Sequence, residues 1–247
     1  MRNDILRTFL LFLLIALAWQ VIRFYFLPES FFPSTFEVVK ALADSFVRGE
    51  LLQHIIASLQ RVAVGFVAAA IFGISLGIVG GSVGAVGKIL RPFIEMLRPI
   101  PPIAWIPIAI LLFGLGNPSS YFIVFLGAFF PIFTNAYFGA DSIPVIYRNI
   151  AGSFEMRPLV YMWRIVFFYA LPSMFTGLKI GMGMAWMSVI AAELVGAQTG
   201  LGYFIQINRL LLRIDNIIVG MIAIGAMGSV LVYFVSWLEK IVMPWRN

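Results

Sequence analysis

Apolar residues gather in six long runs, at about 8–27, 62–80, 89–114, 119–139, 171–195 and 216–238, with the charges concentrated between them. Each run holds about 20 residues or more, enough for a helix to cross ~30 Å of hydrocarbon. The pattern predicts an all-α polytopic membrane protein of about six transmembrane helices. Three wetter stretches separate the runs. In 28–60, Phe36, Val39, Ala43, Phe46 and Val47 recur at helical spacing with charges opposite, as in a helix lying on the outer membrane surface. In 141–164, Ile143, Ile146, Ile150 and Phe154 suggest a short amphipathic helix, and Pro158 breaks the chain before a second one. In 196–215, Gly196, Gly200 and Gly202 allow a tight re-entrant bend. The expected organisation is an N-terminal transmembrane helix (1–27), an outer segment (28–60), a membrane core (61–240) containing a long loop (141–166), and a tail (241–247).

Composition supports lipid as the solvent. Of 247 residues, 62% are apolar and 11% charged, whereas soluble domains carry about 25% charged residues. The first run is not followed by a small-residue cleavage pattern and is read as a retained helix. The chain has no cysteine and one histidine, His54, so thiolate metal sites and disulfides are excluded and no metal site is expected. The net charge of +6 is scattered around the apolar runs and forms no nucleic-acid patch. With the N-terminus inside, Arg2, Arg7, Lys88, Arg91, Arg148, Arg157, Arg164, Lys240 and Arg246 face the cytoplasm, while Lys40, Arg48, Arg61, Arg209 and Arg213 lie outside, diluted by acidic residues. This bias places both termini in the cytoplasm.

Ionisable residues inside the runs require a reason, because each costs roughly 2.5–3.5 kcal/mol or more unless paired or wet. Glu95 and Arg98 are three apart and meet on one helix face, either as a self-neutralising pair or with Arg98 offering forked donors to an oxyanion. Glu193 either gates or braces a pathway, or bonds to the glycine-rich loop. Lys179 is expected to snorkel toward the cytoplasm. Pro99, Pro101, Pro102 and Pro107 must break the third run, and backbone freed in a membrane belongs against protein or a wet cavity. The third run, with Pro101, Pro102 and Trp105, is therefore the first candidate to line a pathway, together with Glu95, Arg98 and Glu193. Gly73, Gly77, Gly177, Gly181, Gly183, Gly220, Gly225 and Gly228 suit close helix approach.

No nucleophile with a base, metal ligand set or close intramembrane carboxylate pair is present, so no catalytic residue is expected. An ion-coupled carrier acting alone usually shows an inverted repeat, and none is visible. A scaffold role is the third alternative.

The order of several short motifs carries a resemblance. Ser58-Leu59-Gln60-Arg61, Arg98-Pro99-Ile100-Pro101-Pro102-Ile103-Ala104-Trp105-Ile106-Pro107, Phe129-Phe130-Pro131, Leu171-Pro172, Thr176-Gly177-Leu178-Lys179, Ala191-Ala192-Glu193 and Gly200-Leu201-Gly202-Tyr203 resemble the nitrate, sulfonate, taurine and bicarbonate branch of ABC importer permeases. The segment 149–168 is similar to their cytoplasmic EAA loop, with Ala151 and Ile165 on its register. Asn149 stands there for the family's Glu, Ile150 for Ala, Glu155 for Gly, and Phe167-Phe168 for Leu-Pro.

The resemblance implies a type I ABC importer permease fold in the bacterial inner membrane. It also implies a pair of ATPase subunits docked on Arg148, Asn149, Ala151, Glu155, Arg157 and Ile165, a second permease copy or a paralogue, and an extracytoplasmic binding protein. The substrate would be a small oxyanion such as nitrate, sulfonate, taurine or bicarbonate, or alternatively an uncharged or heterocyclic nutrient such as a vitamin precursor. The chain has no Gly-x-x-x-x-Gly-Lys-Ser/Thr loop, so it cannot hydrolyse ATP by that route; no cofactor is expected on this chain, and ATP and Mg would sit on the partner ATPase. At 155, a side chain in place of Gly predicts a different turn or a different docking surface.

Overall fold

A computed structural model describes residues 17, 19–21 and 32–246. The first apolar run falls almost wholly outside them. Among the described residues the regular structure is helical: α1 (Thr35–Val47), α2 (Glu50–Ser82), α3 (Gly84–Leu97), α4 (Ile106–Phe113), α5 (Asn117–Asp141), α6 (Val145–Ser153), α7 (Pro158–Tyr161), α8 (Phe167–Gly196), α9 (Leu201–Leu210) and α10 (Ile214–Val242). Among the described residues, four helices are long and apolar enough to cross a membrane: α2, α5, the continuous Pro158–Gly196 rod and α10. A fifth candidate is the pair Gly84–Leu97 and Pro102–Phe113, bent by 88°.

Two of these limits differ from the sequence reading. The helix that carries the apolar run expected from residue 62 starts earlier, at Glu50, because Gln53, His54, Ser58 and Arg61 lower hydropathy without breaking a helix. Pro158 does not precede a separate short helix. It sits at the first turn, where its missing N–H costs nothing, and α7 runs through a π-helical turn at Met162–Val166 into α8. The third run breaks as its prolines lead one to expect, into two short helices around a corner, as Pro99, Pro101 and Pro102 withhold the donors a continuous helix needs.

Helix α5 forms the centre. It runs parallel to α2 along a stripe repeating every four residues, with Gly65 against Val124, Gly73 against Ile132, Gly77 against Ala136 and Gly81 against Ala140. A Cβ on Gly77 would sit 2.6 Å from that of Ala136, and one on Gly81 would strike the Tyr137 carbonyl. Small residues at this spacing let two backbones touch, which replaces the hydrophobic drive that lipid does not supply. Helix α8 packs antiparallel on the other side of α5, through Gly139 on Ala170 and Ser173, and through Gly177 and Gly181 on Ile132. Gly228 of α10 lies against Trp186, whose Nε1 donates to the Ile224 carbonyl at 2.9 Å. Gly183 and Gly225, expected at close contacts, have no described residue within 4 Å of where a Cβ would sit.

Helix α1 starts with a capping box of Ser34 and Glu37. It turns Val38, Ala41 and Ser45 inward, and the Phe36, Val39, Ala43, Phe46 and Val47 stripe remains exposed. That is the arrangement of a helix presenting a second apolar face to its surroundings.

Candidate functional site

The end of the bundle holding the start of α2 and the end of α8 contains a buried polar cluster. His54, Ser58 and Arg61 are four and three residues apart, so one face of α2 carries all three. Arg61 is 4% exposed and Glu193 of α8 1% exposed. Arg61 Nη1 donates to Glu193 Oε1 at 2.7 Å and to the Thr199 carbonyl at 2.6 Å. Its Nη2 donates to Thr199 Oγ1 at 2.8 Å, and its Nε to Asn117 Oδ1 at 2.9 Å. Glu193 also accepts from Ser58 Oγ at 2.8 Å and from the Gly202 N–H at 2.9 Å.

The N-terminus of α9 ends on this cluster. The N–H groups of Gly200, Leu201 and Gly202 would have no partner within their own helix. They donate to His54 Nδ1 at 3.0 Å, Ser58 Oγ at 2.9 Å and Glu193 Oε2 respectively. A negative carboxylate at a helix N-terminus is the favourable placement. Glycine is required at 200, where φ is +111° and a Cβ would collide with the Glu193 carboxyl group. Beside Arg61 opens a cleft of about 420 Å³, lined by Leu115, Gly116, Asn117 and residues 195–199.

At Glu193, the bond to the glycine-rich loop is the contact the structure shows. The sequence reading names neither Arg61 and Ser58 as its partners nor Asn117, Thr199 and His54 as members of the same cluster. The polar stripe at 54, 58 and 61 was the available signal.

The bent element carries the other expected pathway residues. Glu95 does not pair with Arg98. Its Oε1 accepts from Arg91 Nε at 2.8 Å, one turn earlier in the same helix. The reason is local: α3 ends at Leu97, and Arg98 is already its C-cap. Arg98 is exposed and makes no ion pair among the described residues. Pro101 is extended, Pro102 opens a 3-10 turn ending at Trp105, and Trp105 Nε1 is buried without a hydrogen-bond partner. Lys179 is ion-paired with Glu239 of α10 at 2.5 Å, so its charge is met within the bundle.

At the opposite end lies the loop between α5 and α8. Ile143 and Ala151 are buried, whereas Ile146, Ile150 and Phe154 are exposed, Phe154 to 77%. The loop therefore does not cover its apolar face by folding back. Arg148, Asn149, Glu155 and Arg157 are also exposed, and Ile165 sits half-buried in the π-helical turn. Glu155 adopts φ +46°, and the Met156 N–H closes the helix end on the Ala151 carbonyl at 2.9 Å. The left-handed turn for which glycine is suited is thus kept with a glutamate in it, at a cost of ~1–2 kcal/mol.

A bundle of long apolar helices with glycine-tight contacts and an exposed loop face is that of a multi-pass membrane protein built to work with partners. The chain belongs to the binding-protein-dependent transport system inner membrane component family, whose profile matches residues 69–247. It is 41% identical over 191 residues to a nitrate import permease of Synechocystis sp., covering 77% of this chain and 70% of the relative. It is 40% identical over 191 residues to a bicarbonate transport system permease of Synechococcus elongatus (77% and 69% covered). It is 32% identical over 239 residues to the taurine transport system permease of Escherichia coli (95% and 87% covered). The chain is a multi-pass, membrane-spanning permease subunit of an ABC importer.

Proposed function

We propose that this permease carries a small oxyanion inward, and that a partner ATPase drives it through the loop between α5 and α8. Nitrate, bicarbonate and taurine, named for the relatives above, share an oxyanion group. The observation that carries the reading is the exposed apolar face of α6 and Phe154, ending in the strained turn at Glu155. An unsatisfied apolar surface on a loop rich in arginine suits a docked protein. Arg148, Asn149, Ala151, Glu155, Arg157 and Ile165 form or support this contact, with ATP and Mg on the ATPase and no cofactor on this chain.

Both termini and this loop face the cytoplasm, and the Arg61–Glu193 end faces an external binding protein. A second permease, identical or paralogous, completes the pathway. Glu95, Arg98, Pro101, Pro102, Trp105 and Glu193 line or brace it. Support comes from two donors on the bent element that have no partner among the described residues, the Arg98 guanidinium and Trp105 Nε1. A guanidinium fork matches planar oxyanions. Replacing Arg98 by Ala lowers oxyanion uptake by whole cells without lowering the amount of protein in the membrane; equal uptake removes Arg98 from the pathway.

A further inference from the structure

We propose that the cleft beside Arg61 is an entry site where a small oxyanion is held before it reaches the bent element. This rests on the oxyanion reading above and adds a place and a set of donors to it.

Arg61 can only donate hydrogen bonds. Its Nε therefore meets the oxygen of the Asn117 amide, which fixes the amide with its NH2 directed away from Arg61. Thr199 Oγ1 accepts from Nη2, which leaves the Thr199 hydroxyl proton to be given elsewhere. Four of the five guanidinium N–H groups are used in this way, and one on Nη2 is left. Arg61 consumes the acceptors around it, so Asn117, Thr199 and Arg61 itself have donors to offer.

All three line the same cleft together with Gln198, and no acidic residue is among its described lining residues. Glu193 is kept out of reach, since both its oxygens are occupied by Ser58, Arg61 and the Gly202 N–H. A cleft of about 420 Å³ is of ordinary ligand-site size. Donors without a facing carboxylate select an anion over a cation. The anion adds to the clamp and does not compete with it.

The test is calorimetric titration of the purified permease–ATPase complex, without the binding protein, with sodium nitrate, bicarbonate or methanesulfonate, and sodium chloride as control. At least one oxyanion binds the wild type more tightly than chloride does. Asn117→Asp keeps an acceptor for Arg61 Nε but replaces the donors with negative charge, and weakens that binding tenfold or more. Gln198→Glu, on an exposed loop position that the clamp does not use, does the same. Absence of oxyanion binding in the wild type, or wild-type affinity in both variants, overturns the proposal. ATP-driven uptake measured in parallel with the binding protein separates the two levels. Uptake with no binding in the cleft sinks the entry site alone, and no uptake of any oxyanion sinks the reading beneath it.

Discussion

Arg61 and Glu193, 132 residues apart in the chain, form a 2.7 Å ion pair with both side chains buried. Breaking such a pair leaves one charge uncompensated, which costs about 3–5 kcal/mol, more than the pair's own net worth. Glu193→Ala lowers the unfolding midpoint in detergent strongly. Glu193→Gln, which leaves an oxygen for Ser58 and Gly202, lowers it less. Equal midpoints for Glu193→Ala and wild type contradict the clamp.

The α2–α5 stripe gives a matched pair of substitutions. Gly81→Val drives a side chain into the backbone of α5, and the protein is lost from the membrane. Gly225→Val meets none of the described residues and leaves membrane levels unchanged. Quantitative blotting of membranes checks both.

At Glu155 the left-handed turn favours glycine and penalises branching at Cβ. Glu155→Gly preserves the turn, and Glu155→Val weakens it by roughly 1–2 kcal/mol. Hydrogen exchange at the Met156 amide, which bonds across the turn, reads this directly: faster in the Val variant, unchanged or slower in the Gly variant.

Lys179 and Glu239 tie α8 to α10. Reversing one charge alone, Lys179→Glu, places two carboxylates together and lowers membrane levels. Adding Glu239→Lys restores them. A double variant no better than the single shows that the pair does not hold the helices together.

Long-range partners separate what sequence made visible from what it hid. Periodicity is local, so the long crossings and the close-packing role of Gly73 and Gly77 could be read from spacing. The prolines from Pro99 to Pro102 announced a break, but its 88° angle depends on how α3 and α4 pack. The helix α2 starts ahead of its apolar run because hydropathy measures lipid preference and not helicity. Glu193 is expensive to bury on sequence grounds alone, but Arg61 shows only as part of a polar stripe at 54, 58 and 61, and nothing in the spacing ties that stripe to Glu193, Asn117 or Thr199. Glu95 illustrates the reverse error: Arg98 lay on a permitted face, but the helix ended first and Arg91 took the contact.

Copurification of an ATPase subunit with the wild-type permease and with an Ile150→Asp, Phe154→Asp variant is the most direct test of the driving reading. Both substitutions put charge on a face that is already exposed, so the bundle itself stays folded. The ATPase accompanies the wild type and is lost from the variant, together with ATP-dependent uptake. Retention of the ATPase and of uptake in the variant contradicts the account.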